Sequence, residues 1–335
     1  MKLHEDVNAF RVLINNIHDK TGYRPDVLEK DYYVVLMLEE LAKMQKEGLP
    51  AFFKGGTALY KALHTTNRFS EDIDLSVDTR GCSRTQNDKR LEKAAKKYTS
   101  LNHDTSQGVT NKSEVVAIYS YKPVTDYDMD DALQRFGKLK IEATSFTISE
   151  PVTSMEVCAM LYEFATEEQK QILEDMYDVK PFRVQTITLE RIFVDKLFAA
   201  EAYVRKAEVT SKAFEAAKHI YDLAVMEKLP RIVKLINSEH PLDKLLHIRM
   251  KEELDRLDGI PGVVPSNFSF FDDSKNNKLV IRAYETMQKQ YVLRECDSIS
   301  YENALNALDN IKLTLKKNIA WNHAPAPDSE ALNIE

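Results

Sequence analysis

The stretch KGGTALYKALHTTNRFSEDIDLSV, residues 54–77, sets two aspartates, Asp72 and Asp74, on alternate positions shortly after a Gly-Gly pair. In a strand, alternate side chains share a face. Asp72, Asp74 and Ser76 then point one way, and Ile73, Leu75 and Val77 the other. The apolar face builds core. The carboxylate face must meet water, a cation or a metal, because unpaired buried charge is costly. A second segment, LKIEATSF at 139–146, alternates in the same way, with Lys140, Glu142, Thr144 and Phe146 on one face. If the two strands are neighbours, Glu142 completes a trio with Asp72 and Asp74. Three converging carboxylates repel one another, and a divalent ion is the simplest relief. Hard oxygen ligands select Mg²⁺ or Mn²⁺. Two such ions about 4 Å apart can clamp the attacking and leaving oxygens of an in-line phosphoryl displacement. The third carboxylate can orient or deprotonate the attacking hydroxyl. A lone Asp-x-Asp is more often a solvated edge strand. Here Gly55 and Gly56 sharpen the reading, since glycines let backbone amides approach a phosphate. Thr57 reads as the N-cap of a short helix whose N-terminus favours an anion.

Further along, LERIFVDKLFAAEAYV gives a helix with a broad apolar arc, and Lys196 lies near its middle. An inward lysine needs an anion. A ligand triphosphate and a structural ion pair both satisfy that need. Asp195 falls off the arc and reads as solvated. In AFEAAKHIYDLAVM, Tyr221 joins the apolar arc and Asp222 sits at its border, where Lys218 is placed to pair with it along the helix.

These residues need a frame. RPDVLEKDYYVVLMLEELAKM reads as a buried helix, started by Pro25 and Asp26 and apolar nearly all round. Lys30 and Asp31 fall on the side of its Val27, Val34 and Leu38, either as a structural ion pair or as support for the site. AFF, DIDLSV, EVVAIYSYKP, GKLKIEATSF and FRVQTIT read as strands. Residues 79–113 read as helix and loop, and VTDYDMDDALQRF as an acidic loop. The expected fold class is α/β (α+β), a core with a mixed sheet flanked by helices. The expected organisation is an N-terminal helical segment at 1–48, the core at 49–188, a helical domain at 189–321 and a disordered tail at 322–335.

The chain has 335 residues, a net charge of −7 and 30% charged residues, ordinary for a globular protein with a sizeable core. A protein that binds nucleic acid over most of its surface is usually basic. Contact with RNA would therefore be local, and Lys89, Arg90, Lys93, Lys96 and Lys97 form the candidate patch. The alternative is a solvated helix face. The three cysteines are scattered with no metal spacing, and the histidines form no zinc pattern. The longest apolar run is too short to span a membrane. No signal segment is evident, so a cytoplasmic location without membrane partners is expected.

The ordered motifs resemble the AbiEii/AbiGii toxin family of nucleotidyltransferases, within the DNA polymerase β-like superfamily. GGTAL with RFSEDIDL is similar to the family's glycine turn and metal aspartates. KIE is similar to its third-carboxylate strand, DKLFA to its nucleotide-binding lysine motif, KHIYDL to its closing motif, and EKDYYVVLML to its N-terminal helix. The resemblance spans residues 29–223. Lys218-His219 stand where Arg-Asp is usual, and the gap from Gly56 to Asp72 exceeds that of the general superfamily pattern. The resemblance implies transfer of a nucleoside monophosphate from an NTP, with Mg²⁺ or Mn²⁺, by a toxin paired with an antitoxin, in some members during phage defence. It implies metal binding by Asp72, Asp74 and Glu142, a phosphate turn at Gly55 and Gly56, and a phosphate contact from Thr57. It also implies triphosphate binding by Lys196 and a matched aspartate at Asp222, with Lys54 and Arg68 as electrostatic helpers. Ser70, two residues before Asp72, shares the metal face if the strand starts that early, where phosphorylation would block the triphosphate. The expected acceptor is RNA, at a tRNA 3′ end. The alternatives are an AMPylase-like protein modifier and a non-catalytic nucleotide-binding regulator.

Overall fold

A computed structural model describes residues 1–66, 68–126, 136–147, 149–255 and 264–322. Residues 127–135 of the acidic loop and 323–335 of the tail lie outside the described residues. Contacts divide the chain into two compact units. One comprises Met1–Ser145 with Ser149–Ile187, and the other Phe146–Ile148 with Thr188–Glu335.

The first unit opens with α1 (Val7–Thr21) and α2 (Pro25–Lys46). Asp6 caps α1 by accepting from the Ala9 amide at 3.0 Å, and Gly22 ends it at φ +75°. Pro25 starts α2, where a missing N–H costs nothing. Every residue of α2 from Asp26 to Leu38 is buried, so the helix runs through the core and also carries charges into it.

The strands are β1 (Ala51–Lys54), β2 (Ile73–Val77), β3 (Asn102–Thr110), β4 (Glu114–Ser120), β5 (Lys138–Thr144), β6 (Val152–Val157) and β7 (Phe182–Ile187). They form one sheet in the order β3-β4-β5-β2-β1-β7-β6. It is mixed: β2 runs parallel to β5 and β1 to β7, while β1–β2, β3–β4, β4–β5 and β6–β7 are antiparallel. Four helices complete the unit: α3 (Gly55–Lys61), α4 (Arg84–Lys96), α5 (Met160–Glu163) and α6 (Glu167–Tyr177).

Register fixes the two faces of the sheet centre. Phe53 pairs with Leu75, Leu75 with Ala143, and Ala143 with Val115, all buried. On the opposite face Lys54 pairs with Asp74, Asp74 with Glu142, and Glu142 with Val116. Helices α2 and α4 cover the apolar face. The Tyr119 hydroxyl donates to the Ala95 carbonyl of α4 at 2.9 Å. Tyr33 of α2 stacks on Tyr121 at 4.0 Å. The Gln45 amide bonds the Ala51 and Gln185 backbones at 2.7 and 3.0 Å, tying β1 to β7.

Two strands depart from the sequence expectation. β3 lies in the stretch read as helix and loop, and β6 was not anticipated. Both are the sheet's edges. No residue of β3 is buried, so no apolar alternation marks it, and only its ladder with β4 makes it a strand.

The second unit is helical: α7 (Leu189–Val204), α8 (Thr210–Met226), α9 (Pro230–Ile236), α10 (His240–Asp255), α11 (Phe270–Asn276), α12 (Lys278–Tyr291), α13 (Tyr301–Leu315) and α14 (Ile319–Asn322). Buried Phe198, Phe268, Phe270, Phe271 and Trp321 form an aromatic cluster, with Phe198 edge-on to Phe268 at 5.0 Å and Phe268 edge-on to Trp321 at 5.7 Å. Beside it, Arg191 of α7 is buried against Glu252 of α10.

Candidate active site

The candidate site of the first unit grows from the strand–turn–helix at 51–61. β1 ends at Lys54, and Gly55 turns the chain directly into α3 at φ +77°. A Cβ at Gly55 would lie 2.1 Å from Asp74 Oδ2, and one at Gly56 would lie 2.8 Å from Arg68 Nη2 and 2.9 Å from Ser70 Oγ. Gly55 is thus set by contact as well as by conformation, and Gly56 by contact. Because the helix already starts at Gly55, Thr57 falls in its first turn and Lys54 is the N-cap residue, which corrects the expectation for Thr57. The buried Thr57 hydroxyl instead donates to the Asp72 carbonyl at 2.5 Å and lies 2.9 Å from Ser70 Oγ. It holds the segment that leads into β2. That strand begins at Ile73, so Ser70 does not share a strand face with Asp74 by alternation. Ser70 reaches the glycine turn from a loop.

Asp74 and Glu142 are direct register partners on parallel strands, and Lys54 stands opposite Asp74 on the other side. The Lys54 ammonium donates to Thr144 Oγ1 at 3.0 Å. Asp72 lies just before β2. The three carboxylates crowd one another, and Lys140 sits among them. Its Nζ is 2.9 Å from Asp72 Oδ2 and 3.5 Å from Glu142 Oε2. Burial, then Glu142 and Asp72, push the Asp74 carboxyl up to about 7, with Lys140 and Lys54 opposing. Burial works against the charge on Lys140, but Asp72, Asp74 and Glu142 outweigh it and raise its pKa. The cleft therefore demands positive charge and has drawn in a lysine. Among the described residues, no three acid, imidazole or thiol groups are gathered into a single coordination set. The donors are nonetheless hard, anionic oxygens that suit Mg²⁺ or Mn²⁺, and an ammonium stands in for a cation between two of them.

Helix α2 supports this face from beneath. Lys30, 1% exposed, lies 3.6 Å from Glu71 Oε2 and donates to the Lys138 carbonyl. It thereby ties the residue before Asp72 to the first residue of β5. Asp31 pairs with Lys61 of α3 at 2.7 Å and accepts from the Met160 amide at 2.7 Å. Lys30 and Asp31 are thus structural ion-pair residues, each with a partner from another element. The basic stretch of α4 covers the apolar face of the sheet, opposite the carboxylates. Lys89, Lys93 and Lys97 are exposed there, while Lys96 pairs with Glu92 at 3.2 Å.

In the second unit, Lys196 of α7 meets Asp222 of α8 at 2.7 Å, with side chains 8% and 0% exposed. The inward lysine therefore has its anion within the chain. Lys218 pairs with Glu215 at 2.8 Å rather than with Asp222. Asp195 is only 26% exposed and bridges Arg191 at 3.1 Å and Arg249 at 3.2 Å, which corrects its reading as solvated. The helix-wheel reading missed this because Arg249 arrives from α10, remote in sequence. Lys140 was legible only as a residue sharing the face of Glu142, and nothing in the sequence assigned it a partner.

The mixed sheet thus presents the glycine turn beside Asp74 and its neighbouring-strand partner Glu142, with Asp72 just before β2. The chain matches the family model described as nucleotidyl transferase AbiEii toxin, type IV toxin–antitoxin system, over residues 37–307. It belongs to that family: it is an NTP-dependent nucleotidyltransferase toxin, with an NTP as substrate and an antitoxin as partner. No curated protein matches it. Among solved structures it is similar to MenT4, a nucleotidyltransferase toxin of Mycobacterium tuberculosis, with 14% identity over 91% of this chain and 98% of that one and a TM-score of 0.47. It is also similar to JHP933 of Helicobacter pylori, with 17% identity over 85% and 93% of the two chains and a TM-score of 0.39. Both are distant likenesses.

Proposed function

We propose that the carboxylate face is a metal-dependent site that transfers a nucleoside monophosphate from an NTP to an RNA hydroxyl, at a tRNA 3′ end. Asp72, Asp74 and Glu142 would hold Mg²⁺ or Mn²⁺, which when bound supplies Lewis-acid stabilisation of charge on the triphosphate. Gly55 and Gly56 leave the backbone open to phosphate oxygens. Thr57 fixes the segment bearing Asp72, and the Ser70 hydroxyl stands beside the glycine turn. Glu142 accepts the proton of the acceptor hydroxyl, whose oxygen attacks the α-phosphorus while pyrophosphate leaves. Lys54 and Arg68 bring positive charge to the turn. Lys196, oriented by Asp222, binds the triphosphate. The setting is the cytoplasm, in phage defence. No helix among the described residues is long and apolar enough to cross a membrane.

The observation that carries this reading is the register row Lys54–Asp74–Glu142, with the Lys140 ammonium drawn to the acids beside it. The test is incubation with each α-phosphate-labelled NTP, Mg²⁺, and total RNA or lysate protein. Label in RNA is expected, and Asp74→Ala abolishes it. Label in protein would favour the AMPylase-like alternative, and no label a non-catalytic regulator. Activity retained in Asp74→Ala would refute the metal assignment.

A further inference from the structure

We infer that Lys140 is a resident counter-cation that occupies the carboxylate cleft in competition with the divalent ion, and so sets how much metal the toxin needs before it can act. This rests on the metal reading of Asp72, Asp74 and Glu142. Three features of the site carry it. First, Lys140 projects from β5 on the same face as Glu142, two residues away, so its ammonium is tethered to the strand that holds one acid. Second, its Nζ lies 2.9 Å from Asp72 Oδ2 and 3.5 Å from Glu142 Oε2, which places it between acids from two segments of the chain. A metal sharing those acids would bind their oxygens at about 2.0–2.1 Å, so it and the ammonium cannot both occupy the space. Third, the side chain is 36% exposed, and a lysine stem is flexible, so displacement into water needs no rearrangement of the sheet.

Free divalent ion must therefore expel a cation that the site itself supplies. In its absence the same lysine screens three crowded acids and keeps the apo fold intact. The expelled ammonium would stand beside incoming phosphates, where it finds new anions.

The test is Mn²⁺ titration of the whole chain, read by the electron paramagnetic resonance signal of the free ion, with no nucleotide present. Lys140→Met should bind Mn²⁺ at least about tenfold more tightly than wild type, the effect of removing one nearby positive charge. Lys140→Arg, which keeps the charge, should stay close to wild type. Without metal, Lys140→Met should melt below wild type, and Mn²⁺ should raise its melting temperature by more. Lys140→Gln repeats the measurement if the methionine variant does not fold. Equal or weaker Mn²⁺ binding in a folded, neutral Lys140 variant that still binds the ion overturns this role while leaving the metal site standing. Absence of Mn²⁺ binding in every variant overturns both. Adding Asp74→Asn to Lys140→Met should abolish the gain, and a gain that survives would place the ion elsewhere and also overturn the inference.

Discussion

At the scale of single residues, the site depends on contacts that leave no room for substitution. Gly55 combines φ +77° with a Cβ position 2.1 Å from Asp74 Oδ2. Gly55→Ala should cost at least about 1 kcal/mol in chemical denaturation. It should also lower NTP transfer sharply, because relief of the clash must move Asp74. A variant of wild-type stability and activity would show that the turn has slack. His4 gives a pH effect. Burial, against the opposing charge of Glu5 and with a smaller contribution from Lys2, lowers its pKa from 6.5, and its Nδ1 lies 3.0 Å from the Tyr32 hydroxyl. The folded state thus prefers neutral His4. Its contribution is present above the unfolded value and is lost as pH falls through 6.5 toward the folded value. The melting temperature of wild type should fall more between neutral and mildly acidic pH than that of His4→Gln. The cysteines differ by environment as well. Burial pushes the Cys158 thiol up to about 11, whereas Cys296 is exposed. A thiolate-directed alkylating reagent should modify Cys296 well before Cys158, as mass spectrometry of the native protein would record.

At the scale of elements, α2 is more than a greasy rod. Its buried Lys30 joins Glu71, beside Asp72, to the start of β5, the two segments that carry the acids. Lys30→Met should destabilise the protein by about 3–5 kcal/mol, because it removes a buried ammonium that faces Glu71 in the interior. Adding Glu71→Gln should return part of that loss, and a fully additive double variant would show that the pair is uncoupled. Helix α4 poses a different question. Its exposed lysines lie on the helix that covers the sheet's apolar face, while the acids look out of the other. An acceptor touching both must pass around the sheet, as a long RNA with a free 3′ end can. Replacing Lys89, Lys93 and Lys97 by glutamate should therefore raise KM for RNA and flatten its salt dependence while leaving NTP binding unchanged. Unaltered RNA kinetics would leave α4 as a solvated face.

At the scale of the whole molecule, the candidate residues fall in two units. The first holds the glycine turn and the acids, and the second holds Lys196 and Asp222. The buried Lys196–Asp222 pair has two roles to separate. Lys196→Ala removes the ammonium that Asp222 meets in the interior at 2.7 Å, which should cost about 3–5 kcal/mol. Lys196→Met with Asp222→Asn should recover stability without recovering NTP affinity. Recovery of both would make the pair purely structural. The sequence by itself determined the family, the centre of the sheet and the strands that carry Asp74 and Glu142, which the structure pairs. Those features are local: alternation marks β2 and β5, glycines mark the turn, and ordered motifs need no coordinates. It could not reveal β3 or β6, because an edge strand is held by its ladder and buries too little to leave an apolar pattern. It also misplaced the start of α3 by three residues, since a left-handed glycine can replace a capping side chain. Only the tertiary structure decided which charges meet. Lys30 finds Glu71, Lys61 finds Asp31, Lys196 finds Asp222 and Lys140 finds Asp72. Each pair joins segments remote in sequence, and a buried charge takes whatever counter-charge the packing brings within reach.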